Sequence, residues 1–343
     1  MQYDVTIGIP VYRSVDYIKQ TMESALCQTF PSIEYLVIDD CGGDGSMQIV
    51  KKLQSEHPRG KDIRIVSHES NLGVGVARNR ILKEARGRYL FFLDSDDIIE
   101  PNTIYKLISI MYKFDADIVY GSWKRVDKVN NSSSIDFIYP YHELLTSDSL
   151  ALYAFKNYSS FRISVCNCLI SVSFLRTEEL KFIDTMFWED LVFTYEMVIK
   201  VKRAILLPDI TYYYICRPGS LSHYQDRRVL LKKEILNNAQ TIGYLKKKCR
   251  TLVERPYISY LCYNLEMNSL YIACHILKQK HRIIPKMNSM DIYDILRYPL
   301  EMRNIIYFRH KVFQNIFLWL ISCMPVPISL SIVWLLGKLK KVL

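Results

Sequence analysis

Three aspartates close one apolar run. Tyr89-Leu90-Phe91-Phe92-Leu93 ends in Asp94, Asp96 and Asp97. Carboxylates this close repel and raise one another's pKa unless a partner neutralises them. A second apolar run, residues 33–38, ends in Asp39 and Asp40. Asp-x-Asp on a tight turn lets two carboxylates share a hard divalent ion with a phosphate. Mg2+ takes one or two protein carboxylates and completes its shell with phosphate and water, and Mn2+ also accepts oxygen ligands. The partner read from these acids is therefore a metal–diphosphate. The plainer alternative is a solvated acidic loop, or Asp97 capping the helix that starts at Pro101. A further acidic pair, Glu189-Asp190, follows Trp188 at the start of a helical pattern. On that segment alone it reads as ordinary N-terminal helix acids.

The elements that must position these acids alternate. Strand patterns cover residues 5–12, 33–38, 62–67, 89–93 and 117–120. Helical patterns cover 16–28, 46–55, 74–85 and 101–114. That alternation predicts an α/β domain with a mainly parallel sheet. In such sheets ligands bind outside the carboxyl ends of the strands, so both sets of acids face one crevice. Residues 124–146 are polar and read as an irregular excursion. A helix is expected over 191–202 and short strands over 205–207 and 212–215. From about 226 the chain reads as helical and basic.

Five ordered stretches resemble the family 2 glycosyltransferases of GT-A fold: residues 5–12, Ser24-Ala25-Leu26-Cys27-Gln28-Thr29-Phe30, residues 34–41, Asn71 to Asn79, and Leu93 to Asp97. The likeness is strong over about 3–125 and weak over 160–225. It implies a GT-A catalytic domain over 1–225, with a helical extension over 226–343. It also implies transfer of a sugar, with inversion, from a UDP-sugar to a hydroxyl of a glycan or lipid-linked acceptor, in bacterial surface-polysaccharide synthesis. Position by position, Pro10, Tyr12 and Asp40 match residues that hold uracil and ribose. Arg78 matches an arginine near the nucleotide, Asp94 the acid on the ribose or sugar side, and Asp96 the ligand of Mn2+ or Mg2+. Asp190 matches the base that takes the acceptor proton, and Arg217 a loop residue that neutralises the leaving diphosphate. The chain departs from the family at Arg13, where Asn is usual, and at Cys41-Gly42, where Gly-Ser is common.

Composition sets the surroundings. The chain has 343 residues, a formal charge of +10 and a mean hydropathy of +0.01. A basic balance suits anionic partners. Nine scattered cysteines with no leader pattern ahead of them are expected to be reduced, in a cytosolic setting. Cys166-x-Cys168 has no second pair at zinc spacing and reads as two faces of a strand. Gly73-Val74-Gly75 follows the third strand and lacks a third glycine, against a dinucleotide site. The lysine-rich stretch 227–250 lacks a nucleic-acid motif and reads as a solvated or lipid-facing helix, so no nucleic-acid partner is expected.

Val312 to Gly337 carries no charge, and Pro325 and Pro327 interrupt it. Proline breaks helices, so two helices, about 303–323 and 327–341, are expected instead of one span. Basic residues flank both ends. The reading is a peripheral or monotopic anchor on the anionic inner face of the cell membrane, with a true span and packing on the domain as the alternatives. Two rival functions are a non-catalytic glycan- or nucleotide-binding module and a nucleotidyltransferase. The second would need a Gly-rich basic turn where this chain has Val11-Tyr12-Arg13-Ser14.

Overall fold

The computed structural model describes residues 3–127, 135–158, 161, 164–183, 189–216 and 229–340. It divides into two compact units. The first comprises Met1–Leu150, Arg162–Asp184 and Glu189–Ser220. The second comprises Ala151–Phe161, Thr185–Trp188 and Leu221–Leu343.

The first unit begins with the alternation expected: β1 (Tyr3–Val11), α1 (Ile18–Leu26), β2 (Ile33–Asp39), α2 (Ser46–Glu56), β3 (Ile63–Ser67), α3 (Val74–Glu84), β4 (Gly87–Phe92), β5 (Ile98–Ile99) and α4 (Thr103–Phe114). It continues with β6 (Ile118–Asp127), β7 (Ile135–Phe137), β8 (His142–Leu144), α5 (Ser149–Lys156, which crosses into the second unit), β9 (Cys168–Ser171), α6 (Val172–Thr177), α7 (Glu189–Lys200) and β10 (Ala204–Cys216). The strands form one sheet in the order β3-β2-β1-β4-β9-β6-β10-β5, with β7 on β6 and β8 on β10. β1 pairs parallel with β2 and β4, and β2 with β3. β9 enters antiparallel between β4 and β6. The fold is thus the mixed, mostly parallel α/β sheet of the GT-A class.

Burial explains the element choice. β1 buries Val5, Ile7 and Ile9, and β2 buries Tyr35 to Ile38, as strands covered on both faces do. α4 turns Ile104, Leu107, Ile108 and Met111 inward, the i, i+3, i+4, i+7 stripe of a helix on a sheet.

Two expectations change. The polar stretch after residue 124 continues β6 and then supplies β7 and β8, so much of it belongs to the sheet. The two short strands expected around 205–207 and 212–215 are one strand, β10. Its register against β6 shifts between Leu206 and Ile210, on either side of Pro208. A proline cannot donate to a ladder and is accommodated at such an irregularity.

The second unit is helical: α8 (Lys232–Cys249), α9 (Ile258–Gln279), α10 (Ser289–Ile295), α11 (Met302–Ile305), α12 (Val312–Cys323) and α13 (Val326–Leu339). The break at Pro325 falls where the sequence puts it, and a further gap separates α11 from α12. No helix among the described residues is long and apolar enough to cross a membrane. α8 is not uniformly solvated. Lys246 is buried and pairs with Glu266 at 2.6 Å, while donating to the carbonyls of Ile295 and Arg297. Burial, opposed by Lys246, pushes Glu266 up to about 7.

Candidate active site

The register sets Val11 beside Asp39, Asp39 beside Ser67, and Gly8 beside Phe92. The loops leaving β1, β2, β3 and β4 therefore rise from one edge of the sheet, where an open α/β fold binds its ligands. Side-chain bonds knit these loops together. Ser14 Oγ meets Ser95 Oγ at 2.6 Å, joining the loops after β1 and β4. Asp44 accepts from the Val15 and Ser46 N–H groups, joining the loops after β1 and β2.

Asp40 is buried, 2% exposed. Its Oδ1 faces His68 Nδ1 at 2.7 Å and accepts the Leu72 N–H, and its Oδ2 accepts the Gly73 N–H. Gly73 sits at φ +89, a conformation that favours glycine, and leads directly into α3. Asp40 thus shapes the wall of the edge. A carboxylate offers roughly four acceptor positions, and these donors take three.

Pro10 is the penultimate residue of β1, and Tyr12 follows it with its ring half-exposed. The Arg13 guanidinium lies 5.2 Å from that ring. Arg13 and Cys41, the two departures from the family pattern, both have left-handed backbone, φ +49 and +59. Asn and Gly occupy that region at least cost, which gives the usual residues a physical reason.

The three aspartates after β4 have different surroundings. Asp94 accepts from Arg78 Nη2 at 2.8 Å and from the Cys166 thiol at 3.4 Å. Asp97 turns into the core, 1% exposed, accepting from the Tyr212 hydroxyl at 2.6 Å and the Ile215 N–H at 2.8 Å. Burial, then its neighbours Asp96 and Asp94, raises Asp97 well above the usual carboxylate range. Asp96, between them, is half-buried. Asp97 is therefore a brace between this loop and β10, not a cap on α4. Cys166 precedes β9, touches Asp94 and is not simply one face of a strand. Burial and Asp94 push its thiol well up.

The distant acidic pair joins the same edge. Arg78 Nη1 donates to Glu189 Oε1 at 2.7 Å while Nη2 holds Asp94. Arg78 is 5% exposed, and its Nε has no hydrogen-bond partner among the described residues. The resemblance puts this arginine near the nucleotide; in the structure its guanidinium links two protein acids. Beside it, Asn79 donates to the Phe182 carbonyl and accepts the Phe182 N–H, both at 2.8 Å. Phe182 stacks on Phe193 of α7 with ring centroids 4.1 Å apart. The first turns of α3 are thus the seat of α7, and Asp190 stands one residue beyond Glu189. Burial, then Asp190, pushes Glu189 up to about 7, against the opposing pull of Arg78. Arg217 lies outside the described residues.

No group of three or more His, Cys, Asp or Glu among the described residues forms a metal cage. A cage is not required where phosphate oxygens complete the shell. Carboxylate oxygens at this edge suit a hard divalent ion that arrives with a diphosphate.

The description "Glycosyl transferase family 2" matches residues 6–177. The chain belongs to this family. Among its relatives is the succinoglycan biosynthesis protein ExoO of Rhizobium meliloti, 28% identical over 64% of this chain and 62% of that protein. Another is the poly(ribitol-phosphate) beta-N-acetylglucosaminyltransferase TarS of Staphylococcus aureus, 29% identical over 61% of this chain and 35% of that one. Each relative is matched over less than two thirds of its own length. The structure of TarS 1-349 with UDP-GlcNAc superposes with TM-score 0.66 and 19% identity, covering 93% of this chain and 90% of that one. The mannosyltransferase PcManGT of Pyrobaculum calidifontis, with GDP-Man and Mn2+, gives 0.54 at 13% identity over 98% and 88%. Both likenesses establish the fold.

Several residues around this edge were not singled out by sequence reasoning: Glu189 as an ion-pair partner, and Cys166, His68 and Tyr212. Tyr212 had a signal, since a tyrosine-rich strand next to an acidic loop invites a hydroxyl–carboxylate bond. The other contacts join residues far apart in the chain and leave no local pattern.

Proposed function

We propose that this chain is an inverting glycosyltransferase that moves a sugar from a UDP-sugar to a hydroxyl of a glycan or lipid-linked acceptor, in assembly of a bacterial surface polysaccharide. The observation that carries the reading is the Asp94–Arg78–Glu189 ion-pair chain, which joins the acidic strand end to the start of α7. Donor and acceptor chemistry need such a junction, because the base must stand beside the carbon that the diphosphate leaves.

Residues 1–225 act as the catalytic domain. Pro10 and Tyr12 flank the base and ribose, and the remaining acceptor position of Asp40 takes the uracil imide N–H. Asp94, oriented by Arg78, receives ribose or sugar hydroxyls. Asp96 meets a bound Mn2+ or Mg2+, which when present offsets charge on the departing diphosphate. Arg217 adds a charge-assisted bond to the same phosphates. Asp190 withdraws the acceptor proton as the hydroxyl oxygen attacks the anomeric carbon. The bond to the diphosphate breaks on the opposite face, so configuration inverts. A positioned base contributes roughly 10²–10⁴-fold. Residues 226–343 hold the enzyme at the inner face of the cell membrane, where a lipid-linked acceptor is met.

Family membership and the presence of both acidic sites favour this reading over a non-catalytic module or a nucleotidyltransferase. The test is a panel of nucleotide sugars with Mn2+ or Mg2+, scored by donor hydrolysis and thermal shift. Stabilisation and hydrolysis with one UDP-sugar are expected; no response to any donor would overturn the assignment.

A further inference from the structure

The last two helices expose large apolar side chains that a helix packing in water would bury. α12 buries Asn315, Leu318 and Ile321, and turns Phe313, Phe317 and Leu320 outward. α13 buries Ser329, Val333 and Gly337, and turns Ile328, Trp334, Leu335 and Leu339 outward. Phe313 is 85% and Leu339 72% exposed. A helix on a soluble core normally buries its large apolar side chains and exposes its polar ones. Here the inward side is tied down by polar bonds. Asn315 donates to the Ser259 carbonyl and accepts from the Tyr298 hydroxyl. The Cys274 thiol of α9 donates to the Val333 carbonyl. The Tyr293 hydroxyl, from α10, donates to the carbonyls of Ser322 and Met324 at the turn between the helices. The inward side mixes Asn315, Ser329 and Gly337 with Leu318, Ile321 and Val333, while the outward stripes carry Phe313, Phe317, Leu320, Ile328, Trp334, Leu335 and Leu339, as on helices that meet lipid.

We infer that α12 and α13 form a monotopic hairpin whose outward stripes enter the interface of an anionic bilayer. This deepens the membrane placement proposed above and rests on that part of the reading, not on the transfer chemistry. Length sets the depth. At 1.5 Å per residue the 12 residues of α12 and 14 of α13 extend about 18 and 21 Å, short of the ~30 Å hydrocarbon core. Such helices lie in the surface plane with their apolar faces sunk into the headgroup boundary. The Lys338 ammonium rests 3.9 Å from the Trp334 ring centroid, suiting an aromatic and a cation at headgroup level.

Charge selects the occupant. From Arg309 onward the chain carries Arg309, Lys311, Lys338, Lys340 and Lys341 and no Asp or Glu, while Arg303 just before them is paired with Glu301 at 2.8 Å. A second copy docking on this face about a two-fold axis would oppose like charges. An anionic leaflet gains roughly fivefold in partitioning for each basic residue near it.

The test is flotation of the full-length protein with phosphatidylcholine vesicles and with mixed phosphatidylcholine–phosphatidylglycerol vesicles, beside the double variant F313S/L335S. Both replaced side chains are exposed, so melting of the variant should match the parent. The parent is expected to float with the mixed vesicles and far less with the neutral ones. The variant should lose about a hundredfold, as burying one large apolar side chain is worth roughly tenfold. A parent that ignores anionic vesicles overturns the inference. So does a variant that floats like the parent, although membrane placement through basic residues would then stand. A dimer of the parent that the variant abolishes would assign the stripes to a second copy and overturn it as well. Donor hydrolysis measured on the same samples reports the enzyme reading separately: its absence with flotation intact counts against the transferase and supports the hairpin.

Discussion

Arg78 and Glu189 stand 111 positions apart in the chain and meet at 2.7 Å in a buried ion pair. Glu189 is raised to about 7 by burial and Asp190, despite Arg78. Its unfolded value is about 4.3. The native state therefore holds a proton that the unfolded chain has released between those values. Stability falls as pH rises through that window, and the cost is complete above 7. Glu189→Gln removes the titration while keeping an acceptor for Arg78. Its melting temperature should fall less than the parent's between pH 5 and 8. Parallel melting profiles would count against the assignment.

Asp96→Asn should reduce turnover to background and abolish the metal dependence of UDP binding, with the fold retained because the replacement is isosteric and the side chain is only half-buried. Calorimetric titration of UDP with and without Mn2+ measures this. Full turnover in the variant, or in the parent with chelator, would remove Asp96 from the metal.

Asp190→Asn is expected to keep UDP-sugar affinity and lose transfer by roughly 10²–10⁴-fold. Initial rates set beside donor titrations separate the two effects. Near-normal turnover in this variant, with loss in Glu189→Gln, would move the base by one residue.

Tyr212→Phe deletes the hydroxyl that Asp97 accepts from, leaving only the Ile215 N–H among its two donors named above. A buried acceptor that loses a donor costs about 1–3 kcal/mol. Denaturant unfolding should show that loss, and an unchanged midpoint would mean that Asp97 is satisfied by other means.

Cys41→Gly should stabilise the protein by about 0.5–1 kcal/mol. It relieves a left-handed residue, φ +59, while restoring some chain entropy to the unfolded state. A lower melting temperature would show that the side chain contributes more than its backbone costs.

The convergence of the strand ends was legible in the sequence, because runs of buried residues ending in acids mark both strand and edge. The fates of Asp94, Asp96 and Asp97 were not. Their direction depends on how the loop turns after Leu93, and on Arg78, Cys166 and Tyr212, which arrive from other elements. The joining of the strands expected over 205–207 and 212–215 was not legible either, because it is the pairing with β6 that carries β10 past Pro208. The break at Pro325 was readable because it is a covalent property of one residue. The outward placement of Phe313 and Leu335 was not, because uncharged helices give no clue to which side meets α9.

Asn79 treats Phe182 as a peptide partner, with one amide giving and taking a bond in the manner of a strand neighbour. Arg78, the residue before it, holds Glu189. Two successive residues of one helix thus anchor both ends of the chain between Phe182 and Glu189. A segment held at two adjacent points cannot pivot about either one, so the first turn of α7 keeps its orientation to α3.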